Sequence, residues 1–462
     1  MKNRWQQLIF IVLLVCLPSI SAYADNLASK RVVIIGIDGM TYQVLNPLID
    51  SGRLPTLARL INKSARAILL SEKPMRSPAL WATIATGQPR KIHGIYDFIT
   101  GSPYWPSSLR HKEQQLVTSD MRHAEALWQF TSDAGMQNLV VGWLNTWPAE
   151  SLLGVMVSPY QALNPKKRSN IKGRIVSYAR DQVFPAAVFE DIRPLIVDPR
   201  SVSAKTLARV LDAPPTHSSI YKKAKVLHRY IYSTRYSIAS AETNTKIIES
   251  LLAKYPNTQL VMTYFDGIDT IGHRFWIMRE PLATLQARLN AHNIDPAIAV
   301  ELKSRFGHAV EGLYELVDGL IARIEKAAGP NATIIMVSDH GWGLSPGIAA
   351  NFKNVPFDGE HKLDGVFIAS GPYIKKGQYK VLTQYDVAPT VLRLLGITPP
   401  SLLPGRVISE LIDLDGLGPA KINAIASRTN RAEVKSPTQP TTVKPDFTDE
   451  EFERLRSLGY IK

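Results

Sequence analysis

One serine and a group of aspartates and histidines are the side chains in this sequence whose types and spacing could carry chemistry. The serine, Ser77, directly precedes Pro78 and the short apolar run 79–85. Serine is a preferred helix cap and proline a preferred first helical residue, so Ser77 is predicted to cap a helix. Backbone N–H groups and the helix dipole attract an anion at such a position. The hydroxyl is therefore either an ordinary cap or a nucleophile toward phosphate or sulfate, provided that something lowers its pKa.

Three apolar runs, each typical of a buried parallel strand, lead into ionisable side chains. Ligands of open α/β sheets bind at the carboxyl ends of the strands, so these side chains are predicted to meet at one edge. A single aspartate after a strand is more often a helix cap, and the prediction rests on the set as a whole. The set comprises Asp38 after 31–37, Asp269 and His273 after 259–265, Asp339 and His340 after 333–337, and His361 in the loop before 365–369.

The donor atoms of this set suit divalent cations. Three carboxylates, three imidazoles and one hydroxyl are enough for two four-coordinate ions. The single cysteine, Cys16, lies in a segment that we expect to be removed. Any metal site is therefore predicted to use oxygen and nitrogen ligands alone.

Residues 1–24 have the pattern of a secretory signal. Lys2 and Arg4 precede the apolar core 8–17, and small residues at Ala22 and Ala24 precede Asp25. The core is too short for a transmembrane helix. We expect cleavage after Ala24 and a secreted, periplasmic protein.

Strands that alternate with helices predict an α/β fold with a mostly parallel central sheet and helices on both faces. One catalytic domain is predicted over 25–424, in which 160–236, with its mixed basic, aromatic and proline residues, forms an inserted cap. Residues 425–447 read as a linker and 448–462 as a C-terminal helix. Further strands are predicted at 138–143 and 153–158, and helices at 41–62, 237–254, 297–328 and 387–395.

The net charge of +14 is spread along the chain, with modest clusters at 166–168 and 222–225. A solvated basic face explains such a distribution, and attraction of an anionic substrate or weak association with a membrane surface is the alternative. The sequence contains no nucleic-acid-binding motif, so a nucleic-acid partner is not expected. Nothing in it indicates an oligomeric state.

As a set, the motifs resemble the alkaline phosphatase superfamily, and most closely its type I phosphodiesterase/nucleotide pyrophosphatase branch. The resemblance covers about 31–100 and 255–410. It is carried by GID at Asp38, S-x(5)-T-x-x-T-G from Ser77, D-x-x-G-H at 269–273, SDHG at 338–341 and GEH at 359–361.

The resemblance implies a two-metal hydrolase of small phosphorylated substrates. The activity that we expect is that of a phosphodiesterase. Ser77 would be the metal-bound nucleophile that forms a phospho-enzyme, which activated water then hydrolyses. The family pattern carries no ligand role for His93, which we expect either to be structural or to support the site from behind the ligands. The implied ligands are Asp269, His273 and His361 for one zinc, and Asp38, Asp339, His340 and the Ser77 oxygen for the other, with manganese as the alternative metal.

The sequence also departs from its relatives. Many nucleotide-processing members carry threonine where Ser77 stands, and an asparagine beyond the HGI turn where this chain has 96–98, Tyr-Asp-Phe. Nucleotide specificity is therefore left open. Sulfatases need proline and arginine at the positions of Ala79 and Trp81, so formylglycine formation is not expected.

Two rivals to a phosphodiesterase remain at this point. One is a phosphomonoesterase or a phosphoryl-group transferase that acts on lipid or glycan headgroups. The other is a binding protein that kept the fold and lost catalysis. The presence of a suitable residue at all seven metal-site positions argues against the second rival.

Overall fold

The structure, a computed structural model, describes residues 30–109, 116–159, 181–215, 218–344 and 358–423. The predicted signal segment, the linker at 425–447 and the C-terminal helix at 448–462 lie outside these ranges. Residues 160–180 of the predicted insertion lie outside them as well. Within the described ranges, no helix combines the length and the apolar character that crossing a membrane requires.

The chain forms one large sheet and two small ones. The strands are β1 (Arg31–Ile37), β2 (Ala65–Leu70), β3 (Asn138–Val141), β4 (Gly154–Val157), β5 (Val183–Phe184), β6 (Leu260–Phe265), β7 (Ala332–Val337), β8 (Gly341–Gly343), β9 (Glu360–Lys362), β10 (Asp364–Ser370), β11 (Gly377–Thr383), β12 (Ile397–Thr398) and β13 (Ile422–Asn423). Strands β8 and β9 form an antiparallel ribbon, and β12 pairs with β13.

The helices alternate with the strands. They are α1 (Tyr42–Asp50), α2 (Pro55–Ile61), α3 (Ser77–Thr86), α4 (Arg90–His93), α5 (Leu127–Asp133), α6 (Phe189–Ile192), α7 (Ala204–Ala208), α8 (Ile220–Lys223), α9 (Val226–Lys254), α10 (Gly267–Arg279), α11 (Leu282–Ala291), α12 (Ala299–Phe306), α13 (Ala309–Ala328), α14 (Val387–Leu394) and α15 (Leu414–Leu417).

The large sheet has nine strands in the order β11-β2-β10-β7-β1-β6-β3-β4-β5. The central strands β7, β1, β6, β3 and β4 are parallel, and β2 is parallel to β11. Strand β10 is antiparallel to both β2 and β7, and β5 is antiparallel to β4. The predicted α/β fold with a mostly parallel central sheet is confirmed.

Both faces of the sheet are buried. Along β1, Val33 and Ile35 belong to the core that includes α9, α10 and α13, whereas Val32 and Ile34 belong to the core that includes α3, α5 and α14. This alternation follows from the two-residue repeat of a strand. Helices on both faces explain why the central strands are almost wholly apolar.

Some predicted boundaries are wrong. The helix expected over 297–328 is two helices, because the chain turns at Gly307, whose backbone lies so close to Lys303 that a Cβ there would be 2.5 Å from the Lys303 oxygen. Helix α9 begins at Val226, eleven residues before the expected start. The buried residues Leu227, Tyr230, Ile231 and Thr234 follow helical spacing, a signal that we had assigned to the insertion.

The described part of the predicted insertion, 181–215 and 218–236, contributes to the core on the α13 side of the sheet. Val210 and Leu211 are fully buried. A Cβ at Gly312 of α13 would lie 2.8 Å from the Val210 Cα, so the two segments are in direct backbone contact. Whether the insertion also caps the site stays a prediction.

Candidate metal centre

The parallel central strands bring most of the predicted ligands to one edge of the sheet. Asp38 directly follows β1, and Asp339 and His340 follow β7, the neighbour of β1. Asp269 and His273 lie on α10, which follows β6 on the other side of β1. The shared carboxyl edge expected from the sequence is therefore present.

His361 reaches the same edge by another route. It precedes β10, which is antiparallel to β7, so the start of β10 lies where β7 ends. His361 is part of β9 rather than of a loop, and its partner across the ribbon is Trp342. The sequence predicted the location of His361 but not the direction of the strand that explains it.

We call Asp38, Asp339 and His340 the strand-end set. His340 Nε2 lies 3.3 Å from Asp38 Oδ1 and 3.7 Å from Asp339 Oδ2. All three side chains are 0% exposed. Their ligand atoms are close enough together to hold one metal ion.

The second oxygen of Asp38 is held by two aromatic side chains. The Tyr264 hydroxyl donates to Asp38 Oδ2 at 2.5 Å, and Trp81 Nε1 donates to the same oxygen at 3.2 Å. Trp81 and Tyr264 also contact each other edge to face, with ring centroids 5.1 Å apart. These contacts leave Oδ1 as the oxygen of Asp38 that faces His340.

We call Asp269, His273 and His361 the helix-and-ribbon set. Asp269 Oδ1 lies 3.2 Å from His361 Nε2 and 3.5 Å from His273 Nε2, and the two imidazole nitrogens are 3.3 Å apart. The His361 side chain is 18% exposed, whereas those of Asp269 and His273 are buried. Whether these three side chains together hold a second ion stays a prediction.

The two sets are in contact through His340. Its Nε2 is 3.7 Å from Asp269 Oδ1, and its ring stacks on the His361 ring with centroids 3.7 Å apart and planes 18° apart. Asp269, His340 and His361 also form a group that could hold an ion. His340 is thus within reach of both positions, although the sequence assigned it to one.

The electrostatics of the site are those of carboxylates crowded together and buried. Burial raises the pKa of Asp269 to about 7, and burial together with the charge of Asp38 raises the pKa of Asp339 well above its usual value. Burial alone would lower the pKa of His340, but the carboxylates of Asp339 and Asp38 raise it to about 10. Burial would likewise raise the pKa of Asp38, but the adjacent His340 imidazole and the hydrogen bond from Tyr264 lower it overall. Without cations, protons must offset the negative charge.

Divalent cations fit this arrangement. The buried atoms Asp38 Oδ1, Asp339 Oδ2 and His340 Nε2 make no hydrogen bond of good geometry with the described residues. Buried polar atoms that converge without hydrogen bonds call for a partner such as an ion. Carboxylate oxygens and imidazole nitrogens are ligands that zinc and manganese accept.

Ser77 lies at the start of α3, on the chain that leaves β2 at the same sheet edge. It is the first helical residue, and Arg76 rather than Ser77 occupies the cap position. Ser77 is 2% exposed. Trp81, one helical turn later and on the same face, donates to Asp38, so this face of α3 is directed at the strand-end set.

His93 contacts α3 and the HGI turn rather than the predicted ligands. Its Nδ1 accepts from the Ile95 amide at 3.1 Å, and its Nε2 lies 3.1 Å from the Thr83 hydroxyl on α3. Burial lowers its pKa to about 3, so the ring is neutral at physiological pH. His93 therefore fixes the HGI turn against the helix that carries Ser77.

Trp342 is a residue that the sequence analysis did not single out. Its ring contacts the rings of His273 and His361 edge to face, at 4.8 and 4.7 Å between centroids. A Cβ at Gly272 would lie 2.8 Å from this indole, and one at Gly39, where φ is +73°, would lie 2.2 Å from it. Trp342 of the SDHGW segment thus requires glycine at position 39, directly after the GID motif, and at position 272 within the D-x-x-G-H motif.

Arg76 and Asp97 form a second unpredicted feature, next to Ser77. Arg76 Nε and Nη2 lie 2.9 and 2.8 Å from Asp97 Oδ1, and the guanidinium lies over the Tyr104 ring at 4.7 Å. Asp97 is fully buried, and the Arg76 side chain is 12% exposed. A held guanidinium therefore stands beside the start of α3, where the sequence analysis noted only the absence of an asparagine.

Comparison with known families gives one extensive match. The family model described as type I phosphodiesterase / nucleotide pyrophosphatase matches residues 32–360. This range contains Ser77 and every predicted metal ligand except His361, which directly follows it. The match thus covers well over half of the chain.

Individual relatives are more distant. An extracellular sulfatase Sulf-1 homologue of Caenorhabditis elegans is 31% identical over 86 residues, which is 18% of this chain and 12% of that protein. Murine ectonucleotide pyrophosphatase / phosphodiesterase 5 aligns over 83% of this chain and 100% of its own, with 12% identity and a TM-score of 0.44. Phosphonoacetate hydrolase from Sinorhizobium meliloti aligns over 68% of this chain and 57% of its own, with 16% identity and a TM-score of 0.37. Both TM-scores lie below 0.5, so nothing about this chain is inferred from either structure.

Proposed function

The chain belongs to the type I phosphodiesterase / nucleotide pyrophosphatase family of phosphoric ester hydrolases, and from that premise we propose that it is a phosphodiesterase that uses Ser77 and two divalent cations. One observation carries the proposal. Six carboxylate and imidazole side chains from distant segments meet within 3.2–3.7 Å contacts at the edge where the Ser77 helix begins.

The six carboxylate and imidazole side chains would bind the two ions in two groups of three. Asp38, Asp339 and His340 would hold the ion next to the serine, and Asp269, His273 and His361 would hold the other. Divalent cations, when bound here, lower the pKa of a hydroxyl or a water and neutralise negative charge on a phosphoryl group. Zinc suits this donor set, and manganese is the alternative.

Ser77 supplies the nucleophile. Its hydroxyl loses a proton, and Oγ forms a bond to phosphorus while the bond from phosphorus to the leaving alkoxide breaks. The leaving group takes up a proton. Water then attacks the phosphoserine, releases the product and restores the Ser77 hydroxyl. The N-terminal backbone amides of α3 favour the anionic phosphoryl group next to Ser77.

Removal of the Ser77 hydroxyl tests this proposal. Ser77→Ala should lower the turnover of a phosphodiester about 10³-fold or more, because no side chain remains to accept the phosphoryl group. Ser77→Thr should keep part of the activity. The metal content of each purified protein, measured by mass spectrometry, should stay near two ions in both variants.

A buried serine elsewhere provides the matched control. Ser64 is also 2% exposed and donates a hydrogen bond to the Ile61 oxygen at the other end of β2. Ser64→Ala should change stability without changing turnover at saturating metal. Turnover of Ser77→Ala at the wild-type rate would refute the serine mechanism, and absence of metal from active wild-type protein would refute the two-metal proposal.

Arg76 favours a second candidate, a phosphomonoesterase. A phosphomonoester carries one more negative charge than a diester, and a guanidinium that is held by Asp97 and Tyr104 beside Ser77 could interact with that charge. The observation does not distinguish hydrolysis from transfer to another acceptor alcohol, since both pass through the same phosphoserine.

Matched substrates separate the two candidates. If Arg76 recognises the extra charge, Arg76→Ala should lower kcat/KM for a phosphomonoester about tenfold more than for the corresponding diester. Arg90→Ala is the control, because Arg90 is also largely buried and pairs with a different carboxylate, Glu72. Equal losses of kcat/KM on both substrates would leave the phosphodiesterase as the only candidate. None of these proteins should turn over a sulfate ester.

Secretion belongs to the same proposal. The predicted signal segment supports a periplasmic enzyme. A secreted hydrolase can meet nucleotides, glycerophosphodiesters and sugar phosphates as substrates. Mass spectrometry of the mature protein should show an N-terminus at Asp25.

A further inference from the structure

Asp358 is a buried carboxylate that lies directly behind a predicted ligand. Its Oδ1 is 3.1 Å from His273 Nδ1. Asp358 is 2% exposed and His273 is 3% exposed, so water does not compete for this contact. The sequence analysis gave Asp358 no role.

The contact fixes which nitrogen of His273 faces the site. An imidazole has two ring nitrogens, and a hydrogen bond at one of them decides the tautomer of the ring. Nδ1 lies against Asp358, and Nε2 points the opposite way, 3.5 Å from Asp269 Oδ1 and 3.3 Å from His361 Nε2. With Nδ1–H donated to the carboxylate, Nε2 keeps its lone pair for an ion of the helix-and-ribbon set.

The position of Asp358 is set by contacts other than the one with His273. The next residue, Gly359, passes so close to Trp276 that a Cβ there would lie 2.7 Å from the Trp276 Cγ. The Gly359 backbone amide also hydrogen-bonds to the Asp358 carboxylate. The carboxylate is therefore held by the fold and can in turn hold the imidazole.

We propose that Asp358 is a positioning residue, which orients His273 so that the lone pair of its Nε2 faces the helix-and-ribbon set, where it would bind a divalent cation. This inference rests on the proposed function, because it requires an ion at that set. Carboxylates that hydrogen-bond to metal-ligating histidines raise the basicity of the ligand and fix its ring.

The test is a zinc titration of the full chain, with a chromophoric chelator as competitor. Asp358→Ala should weaken the affinity of one zinc about 10–100-fold, the range for loss of such a partner, while the other zinc changes less. Asp358→Asn keeps an oxygen that can accept from Nδ1–H and should fall between the wild type and Asp358→Ala. It also guards against misfolding of the alanine variant. Saturating zinc should restore most of the turnover of Asp358→Asn.

Asp318 supplies the matched control. It is 3% exposed and accepts hydrogen bonds from the amides of Thr56 and Leu57, at 3.1 and 2.7 Å, at the start of α2. Asp318→Asn should lower the stability of the metal-free protein and leave both zinc affinities unchanged. If Asp358 had only a structural role, Asp358→Asn would likewise lower the stability and leave both zinc affinities unchanged.

The outcomes are separable. Wild-type zinc affinities in both Asp358 variants would overturn the positioning role and leave the proposed function intact. A wild-type protein that binds no zinc or manganese would overturn both. The positioning role would be established if zinc affinity at the helix-and-ribbon set fell from the wild type to Asp358→Asn and further to Asp358→Ala. Asp318→Asn should then bind zinc as the wild type does.

Discussion

The strand-end set and the helix-and-ribbon set have similar donor atoms but are held in different ways. Asp38, Asp339 and His340 directly follow two adjacent central strands, and their side chains are wholly buried. Asp269 and His273 lie on a helix, and His361 lies on a two-stranded ribbon with its side chain 18% exposed. The first set therefore stands at the ends of strands that the ladder hydrogen bonds of the large sheet hold in place, whereas the second set lies outside that sheet.

The second set obtains its order from side chains instead. Trp342 packs against both His273 and His361, and Asp358 holds the far side of the His273 ring. Positions that depend on packing are less rigid than positions within a sheet. We therefore expect the strand-end set to be the more rigid support for the proposed nucleophile, and the helix-and-ribbon set to exchange its ion more readily.

The largest effect is expected when one imidazole is removed from each set in turn and the two variants are compared. His340→Ala should empty the strand-end set and weaken the other, because His340 is within 3.7 Å of both Asp38 and Asp269. His361→Ala should lose only the ion of its own set and retain a slow attack by Ser77. We expect turnover to be at least about tenfold lower in His340→Ala than in His361→Ala.

Metal stoichiometry and rapid-quench measurement of the phosphoserine check this comparison. His361→Ala should form the phosphoserine with about one ion bound, and His340→Ala should not form it. If His361→Ala lost the ion that the serine needs while His340→Ala kept it, the ligands would have to be exchanged between the sets.

A smaller effect tests whether His93 is the neutral support of the Ser77 helix. Burial lowers the pKa of His93 to about 3, against about 6.5 in an unfolded chain. Between these values the unfolded state binds a proton that the folded state does not, so His93 contributes stability that is present above pH 6.5 and is lost as the pH falls toward 3. Between pH 6.5 and pH 5 the loss is about 2 kcal/mol.

His93→Gln provides the comparison, since glutamine cannot take up that proton. The free energy of unfolding of the metal-free wild type should fall by about 2 kcal/mol more than that of the variant over this pH interval, as measured by urea titration. Equal losses in the two proteins would mean that His93 is protonated in the folded state and is not the neutral support of α3.

The sequence predicted the features that depend on local pattern. The apolar strands around 31–37, 259–265 and 333–337 and the ionisable residues after them are where the pattern placed them, because buried parallel strands leave an unmistakable apolar run. Family membership, predicted from a set of motifs that begins with GID at Asp38, is confirmed by the match over 32–360.

What the sequence did not reveal depends on tertiary contacts. The start of α9 was obscured by the mixed composition before residue 237, and the end of α12 by the close approach of Gly307 to Lys303. No local signal marks Asp358 as the partner of a histidine 85 residues away. Arg76 and Asp97 meet only because α3 and the segment after α4 pack together.

The position of Trp342 between two glycines has a consequence for how the protein folds. The indole follows β7, Gly39 follows β1, and Gly272 lies on the helix that follows β6, so these residues come together only after three strands from distant parts of the chain have paired. Contacts of such high sequence separation form slowly, because the loops between them must close first. We therefore expect the proposed ion sites to be completed late in folding, since a chain that ends before β7 lacks Asp339, His340 and His361.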